Sequence, residues 1–402
     1  MSTIYVGVDV SKHKFDACIK KSQNEFLMKP KTYIQNMDGF MRFTRDIDQA
    51  RGNKETEAII GMESTGRYHI NLMGYLVKEG YNVREFNPIE VYGVRKIRMK
   101  RAKTDPIDSD IVTTALMLDC IENTERYLQD KDYTRMREVG LLHHGLSDKI
   151  GKLKVELREV MTVLCPGYGE IFTNILGKTS KAILRGNVKH TKLFCMTRGE
   201  IEAIVRVNYS NEVKVQEKVR KILDAFRKTT VPEIYTESLI VKVRFILDQH
   251  DLLDKQMKML EARIERHMRD IKPMSLSIPG VGQVTCAVVL GCIGNINRFK
   301  DKRSLVAYAG LDPRVIQSGK SINRTGRISK AGNRYMRRYL LNAAHTGCRS
   351  NPVLRDKYNK LKSRGKPHMV ALTACARKLL TIMYSVEKNQ KSFYVPANIS
   401  EQ

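Results

Sequence analysis

The feature that most constrains this fold is a helical repeat running from Leu239 to Ile271. Its apolar and histidine positions alternate in spacing between four and three residues, which places them on one face of a single helix. The repeat predicts a coiled-coil seam with two polar interruptions, at His250 and His267, which fit register-setting positions better than a metal-binding pair. The seam positions are Leu239, Val243, Ile246, His250, Leu253, Met257, Leu260, Ile264, His267 and Ile271.

A second long helix is predicted over residues 134–165, because its apolar residues also recur mostly at intervals of three and four. The two helices can pair with each other or across subunits. Residues 166–236, between them, look mainly helical and carry no chemistry that we can identify. The apolar positions of the second helix are Val139, Leu142, Leu146, Ile150, Leu153, Leu157, Val160 and Leu164.

The first 118 residues have an α/β pattern. Strands are predicted at Ile4–Val10, Phe15–Lys20, Ala58–Met62 and Tyr81–Phe86, with a further short strand and a helix between the second and third of them. A helix is predicted over Asp105–Asp119, where Pro106 suits the first turn and the apolar spacing gives one buried face.

At 402 residues the chain has room for two or three domains with cores of their own. The patterns predict an N-terminal α/β domain over residues 1–125 and a helical coiled-coil arm with a helical insertion over 126–272. They then predict a mostly α-helical domain over 273–385 and a tail over 386–402.

Four acidic residues, Asp9, Glu63, Asp105 and Asp108, stand where the predicted strands end and where one helix begins. Each of them could instead be a helix cap or a first-turn acid. Their joint placement favours a site for a hard divalent cation such as Mg²⁺, which binds oxygen ligands. Asp105 and Asp108 share a helix face; Asp110 does not lie on that face and is excluded.

The formal net charge of +28, from 71 basic and 43 acidic residues, favours a polyanionic partner, with nucleic acid first. Between Arg298 and Gln402 there are 23 basic and 5 acidic residues. The 8 cysteines include no C-x-x-C pair, so neither a zinc site nor a disulfide framework is predicted. The longest apolar run, Val284–Ile293, is too short to span a bilayer, so a soluble intracellular protein without a membrane partner is expected.

A basic run directly precedes the Asp105–Asp108 pair. A charge run is usually a solvated surface, but beside metal-binding acids it would attract a phosphate backbone. The predicted nucleic-acid contacts in this run are Arg95, Lys96, Arg98, Lys100, Arg101 and Lys103.

The glycine turn Ile278–Gly282, followed by an apolar helix, resembles a helix-hairpin-helix element that grips DNA backbone through Gly280 and Gly282. A tight helix–helix turn is an equally good interpretation. Further on, Ser318 lies in a polar, glycine-flanked segment, and with no base placed near it by sequence it could be a turn residue. The predicted nucleic-acid contacts around it are Arg314, Lys320, Arg327, Lys330, Arg334, Arg337 and Arg338.

The chain resembles the IS110/IS1111 family of bacterial insertion-sequence transposases over most of its length. In the N-terminal half, Gly7–Lys12 (GVDVSK), Glu63–Tyr68 (ESTGRY) and Lys103–Asp108 (KTDPID) are similar to the DEDD motif of a RuvC-like, ribonuclease-H-type domain. In the C-terminal half, the matching segments are Ile278–Gly282, Tyr308–Arg314, Gln317–Gly319 and Ile328–Arg334, which resemble the second transposase domain of the family.

The resemblance implies that Asp9, Glu63, Asp105 and Asp108 bind Mg²⁺ and that Ser318 is the nucleophile, forming a covalent phosphoserine link to DNA. Metal ions can lower the pKa of a hydroxyl and neutralise transition-state charge, which would supply the activation missing around the serine. It further implies a dimer or tetramer, donor and target DNA, and a structured bridge RNA that reads sequence by base pairing. The expected location is the bacterial cytoplasm, in association with the nucleoid.

Three other functions remain open from the residues alone. The first is a Holliday-junction-type, Mg²⁺-dependent nuclease that uses the same acids with water as the nucleophile. The second is an ATP-binding, kinase-like protein, although the turn after Asp9 lacks the Gly-Thr expected around ATP phosphates. The third is a non-enzymatic nucleic-acid scaffold that depends on the coiled coil and the basic C-terminal region.

Overall fold

The computed structural model describes residues 3–52, 55–63, 67–86, 88–97, 105–122, 131–188, 194, 196–229, 231, 233–318, 322–330 and 332–395. The chain divides into two compact units. The first contains residues 1–129 and 297–332, and the second contains residues 130–296 and 333–402. These two units differ from the four predicted segments, because residues 297–332 group with the N-terminal part of the chain. The boundaries of the predicted segments stay predictions.

A five-stranded mixed sheet forms the centre of the first unit, with the strand order β3-β2-β1-β4-β5. The strands β1, β2 and β3 are antiparallel, and β1, β4 and β5 are parallel. This confirms the predicted N-terminal α/β fold. The elements are β1 (Thr3–Val10), β2 (Lys14–Ser22), β3 (Glu25–Ile34), α1 (Met37–Arg51), β4 (Glu57–Glu63), α2 (His69–Lys78), β5 (Asn82–Phe86), α3 (Pro88–Ile97) and α4 (Asp105–Glu122).

One face of the sheet carries an apolar core. Alternate residues of β1 point into it and meet the aromatic rings of Phe15, Tyr33, Phe40 and Phe43. Asn36 starts α1 by accepting a hydrogen bond from the amide of Gly39, 2.9 Å away, which satisfies one donor of the first turn. This burial fixes which residues of each strand point to the opposite face.

Helix α4 covers that opposite face. A Cβ at Gly7 would lie 2.1 Å from the Thr113 hydroxyl oxygen and 2.4 Å from the Ser109 carbonyl oxygen, so only glycine allows this approach of strand and helix. Lys20 and Asp110 form a buried ion pair between β2 and α4. The pair gives Asp110 a structural partner, and its exclusion from the metal ligands stays a prediction.

The first unit also contains a β-hairpin that the sequence patterns did not predict. It follows the short helix α12 (Lys302–Tyr308) and consists of β6 (Pro313–Ser318) and β7 (Ile322–Ile328), paired antiparallel. The sequence patterns instead predict a mostly α-helical domain here, with Ser318 in a polar, glycine-flanked segment. Its polar sequence lacks the apolar alternation by which a half-buried strand is recognised.

The second unit is helical in the part of the chain that the structure describes. Two long helices, α5 and α10, pack against each other, and shorter helices surround them. Its helices are α5 (Lys131–Leu164), α6 (Tyr168–Ile171), α7 (Lys178–Asn187), α8 (Arg198–Arg206), α9 (Glu212–Arg227), α10 (Glu233–Ile271), α11 (Gln283–Ile293), α13 (Arg334–Ser350), α14 (Pro352–Ser363) and α15 (His368–Asn389).

The predicted seam of α10 is covered along its whole length. Every one of its ten positions is buried or partly buried, whereas most other positions between 251 and 271 are exposed. In α5 the predicted stripe has one exception, Leu142, whose side chain is 51% exposed. Helices α7 to α9 close an apolar core around one end of the α5–α10 pair.

Helix α15 is long and apolar enough in composition to cross a membrane. Half of its apolar stretch is buried within the fold. The core includes Leu372, Leu379, Leu380 and Met383. A core helix of a soluble protein has the same composition.

Candidate active site

Asp9 and Glu63 occupy equivalent positions at the ends of two neighbouring parallel strands. Val8 of β1 is aligned with Met62 of β4, and the two acids follow directly. Gly61 lies against Leu116 of α4. Because alternate residues of a strand share a face, Asp9 and Glu63 lie on the same face of the sheet as α4. Both side chains are partly exposed.

Asp16 is the cross-strand neighbour of Asp9 on β2. It is buried and accepts a hydrogen bond from the hydroxyl of Thr32, and the Lys14 ammonium lies 3.7 Å from its carboxylate. Asp16 therefore has local partners for its charge.

Asp108 lies on α4 next to Ser109, whose carbonyl oxygen lies close to Gly7 of β1. Its carboxylate is buried and accepts a hydrogen bond from the Arg95 guanidinium of α3, with Nη2 and Oδ1 2.5 Å apart. Asp105 is the first residue of α4, but its side chain lies outside the described part of the structure. The segments that carry the four predicted acids thus meet on one face of the sheet.

Within the described ranges, no three or more His, Cys, Asp or Glu side chains are grouped closely enough to hold a metal ion. The donor set nevertheless fits a hard divalent cation chemically, since all four predicted ligands are carboxylates and two of them share one sheet edge. The assignment of Asp9, Glu63, Asp105 and Asp108 as metal ligands stays a prediction.

The basic run was predicted to contact nucleic acid. The structure describes only one of its six basic side chains, Arg95, which is paired with Asp108. Lys96 lies within α3, and its side chain is not described. Arg98, Lys100, Arg101 and Lys103 lie outside the described residues.

Ser318 is the last residue of β6 and is paired with Ile322 of β7. It therefore stands at the tip of a hairpin and not within an irregular loop. Its side chain, like those of Arg314 and Lys320, is not described.

Both ends of this hairpin are fastened at its base. The hydroxyl of Ser329 donates a hydrogen bond to the Asp312 carboxylate at 2.5 Å, and its amide donates to the Asp312 carbonyl oxygen at 2.8 Å. Gly332 packs so closely on the preceding turn that a Cβ there would lie 2.2 Å from the Tyr308 carbonyl oxygen. We call Asp312 and Ser329 the hairpin clasp. Sequence analysis missed this role, although both residues belong to the motifs Tyr308–Arg314 and Ile328–Arg334.

The basic residues that follow the hairpin differ in setting. Arg327, Lys330 and Arg334 are exposed, and the Arg334 guanidinium lies over the Tyr335 ring at 4.8 Å. Arg338 pairs with Asp148 of α5, and burial lowers the pKa of Arg337. Arg327, Lys330 and Arg334 are therefore better placed for phosphate contacts than Arg337, which is partly buried, and Arg338, which is exposed but paired with an aspartate.

Gly280 and Gly282, the predicted backbone-binding glycines, also differ. Gly280 has a φ of +94°, and a Cβ there would lie 2.5 Å from the Cα of Gly347, so helix packing explains this glycine. Gly282 is exposed and starts α11. Their contact with nucleic acid stays a prediction.

Carboxylates at adjacent strand ends beside a covering helix, in a strongly basic chain, fit the class of metal-dependent enzymes that act on nucleic acid. Comparison with known proteins narrows the class. The DEDD transposase profile of the IS110 type matches residues 6–166, and the profile of the IS116/IS110/IS902 transposase family matches residues 275–359.

Relatives match this chain over nearly its whole length or over about half of it. The pilin gene-inverting protein of Moraxella bovis is 24% identical over 395 residues, which cover 98% of both chains. The IS116 uncharacterized 44.8 kDa protein of Streptomyces clavuligerus is 23% identical over 403 residues, covering 97% of this chain and 96% of its own. The IS110 uncharacterized 43.6 kDa protein of Streptomyces coelicolor is 30% identical over 189 residues, 46% of each chain.

The chain belongs to the IS110/IS116/IS902 family of transposases. This confirms the resemblance stated from its motifs. The protein is accordingly an enzyme that acts on DNA, and its DEDD domain implies the use of a divalent metal.

Proposed function

We propose that this transposase cleaves and rejoins DNA strands through a covalent bond between Ser318 and a DNA phosphate. The main support is that residues 297–332, which carry Ser318, belong to the same compact unit as the sheet that carries Asp9 and Glu63. One unit then supplies both the nucleophile and the acids. The relative named a pilin gene-inverting protein also supports rejoining, since inversion of a gene requires cut strands to be joined again.

In the proposed reaction the Ser318 hydroxyl oxygen attacks the scissile phosphorus, and the bond from phosphorus to one deoxyribose oxygen breaks. The serine proton is lost and the departing deoxyribose oxygen gains one, so the step is balanced. Attack by a hydroxyl of another strand on the phosphoserine then restores the free serine and joins the strands. Because a phosphodiester bond is kept at each stage, no high-energy cofactor is needed.

Mg²⁺ is the divalent ion that we expect at Asp9, Glu63, Asp105 and Asp108, because its preferred ligands are carboxylate oxygens and water. Bound there, it would lower the pKa of a nearby hydroxyl and offset charge on the phosphorane-like transition state. The two strand-end acids would anchor the ion, and the α4 acids would complete the ligand set.

We further infer that a structured bridge RNA selects donor and target DNA by base pairing, with the protein holding backbone phosphates. Exposed cations such as Arg327, Lys330 and Arg334 suit this role, because phosphate contacts need charge and not base-edge patterns. A DNA-bound enzyme of this kind would be located at the bacterial nucleoid.

A homo-oligomer, as a dimer or tetramer joined by coiled-coil contacts, completes the proposal. Helix α10 has a second apolar stripe, separate from its seam, in Phe245, Leu252 and Met259. These residues recur every seven positions and are 59%, 57% and 65% exposed. An exposed apolar stripe with this period can pack against a helix of another subunit.

Substitution of Ser318 tests the nucleophile. Ser318→Ala should abolish the covalent protein–DNA adduct on denaturing gels while leaving DNA and RNA binding intact. Ser321→Ala removes a hydroxyl three residues along the chain and should keep the adduct. An adduct that survives in Ser318→Ala would disprove the assignment. Cutting without any adduct in the wild-type protein would instead favour the nuclease that uses water.

A further inference from the structure

The ion pair between Arg95 and Asp108 joins two residues that the proposed function uses separately. Asp108 is a proposed metal ligand, and Arg95 opens the basic run proposed to contact phosphate. In this structure the two form an ion pair, with side chains 17% and 8% exposed. One of the two Asp108 carboxylate oxygens, Oδ1, is thus engaged by a guanidinium.

The neighbouring ion pair on the same helix shows what a purely structural pair looks like. Lys20 is 2% exposed, lies 4.0 Å from the centre of the Phe26 ring, and donates a hydrogen bond to the Gln23 carbonyl oxygen at 3.2 Å. Its ammonium is enclosed on several sides. The Arg95 guanidinium keeps some contact with solvent and lies near the end of α3, so a ligand can reach it.

An exchange of partners is chemically favourable for both groups. Guanidinium groups bind phosphate oxygens in a planar, two-pronged geometry, and carboxylates bind hard divalent cations. Losing one member of a buried pair is costly because a charge is left uncompensated. If a phosphate binds the arginine while a metal ion binds the aspartate, both charges remain compensated.

We propose that Arg95 is a latch that holds Asp108 away from the metal-binding set until a nucleic-acid phosphate draws the guanidinium off. This inference rests on the proposed metal role of Asp108. The latch links metal binding to substrate binding, so that the acids assemble around the ion only when DNA lies beside α3. Arg95 acts in this account as a positioning residue.

Binding of Mn²⁺ to the full-length protein, followed by the electron paramagnetic resonance signal of the free ion, tests the latch. The wild-type protein should bind Mn²⁺ weakly alone and about tenfold more tightly with a short DNA duplex, within the usual range of coupling between sites. Arg95→Gln should bind tightly without DNA and lose the dependence on DNA. Ion bound by the duplex alone is subtracted.

Lys12→Gln is the charge-matched control. Lys12 is exposed in the turn after Asp9, and its removal changes the net charge equally without touching Asp108. An equal gain in Mn²⁺ affinity from Lys12→Gln and Arg95→Gln would overturn the latch and leave only a general charge effect.

Asp108→Asn separates the latch from the function on which it rests. If Asp108→Asn weakens Mn²⁺ binding but Arg95→Gln does not strengthen it, the latch is wrong and the metal role of Asp108 stands. If Asp108→Asn leaves Mn²⁺ binding unchanged, the proposed metal role itself fails, and the latch fails with it.

Discussion

Single residues on α4 show how far sequence reasoning reaches. Helical spacing places Asp110 on a different face from Asp108, and the structure gives Asp110 a buried lysine as a partner. The pairing of Asp108 with Arg95 could not be predicted in this way, because it joins two different helices. Helical periodicity describes neighbours on one helix and carries no information about contacts between helices.

His143 and His144, on α5, should make the stability of the fold depend on pH. Burial lowers the pKa of both, in surroundings that include Glu261, Asp148, Arg338 and Arg334. As the pH falls, a histidine whose pKa is lowered by folding is protonated in the unfolded chain before it is protonated in the folded protein. Stability should therefore fall as the pH drops below about 6.5, the ordinary histidine value.

Thermal unfolding between pH 7.5 and pH 5.5 measures this effect. His144→Gln should show a smaller loss of melting temperature over that interval than the wild-type protein. His13→Gln, which changes an exposed histidine in the turn between β1 and β2, serves as the control and should not alter the loss. An unchanged pH dependence in His144→Gln would contradict the assignment.

At the level of elements, apolar patterns predicted the strands β1, β2, β4 and β5 and the long helices α5 and α10. The apolar patterns did not predict α3, because its C-terminal half belongs to a basic run, and such a run is typical of a solvated surface. They missed the hairpin of β6 and β7 because its residues are mostly polar, and hairpin strands in such a segment are held by backbone pairing and by the clasp at their base.

The hairpin clasp should matter more for the reaction than for folding. Ser329→Ala removes one hydrogen bond to Asp312, which we expect to cost about 1 kcal/mol of unfolding free energy. If the clasp fixes the direction of the hairpin, the rate of Ser318 adduct formation should fall about tenfold or more, because small misplacements at a reacting centre are costly. Single-turnover kinetics and urea unfolding measure the two effects.

Asp312→Asn is the conservative companion of that variant, since it keeps an oxygen that can accept the Ser329 hydrogen bond. It should form the adduct faster than Ser329→Ala. An unchanged rate of adduct formation in Ser329→Ala, with a loss of unfolding free energy, would mean that the clasp only contributes to folding.

At the scale of the whole molecule, the two compact units are interleaved along the chain. Residues 297–332 join the first unit, although the chain on either side of them belongs to the second. Patterns read along the sequence cannot predict this, because they follow contiguous segments and the association occurs in space. For the candidate site the consequence is that Ser318 and the strand-end acids share one unit.

The identity of the residue linked to DNA tests this account most directly. The wild-type protein is incubated with Mg²⁺, the proposed guide RNA and a DNA substrate, then denatured and digested with nuclease and protease. Mass spectrometry of the peptides should find a nucleotide remnant on Ser318, and none when Mg²⁺ is withheld by a chelator. A remnant on another residue, or an adduct of equal yield without the metal, would contradict the account.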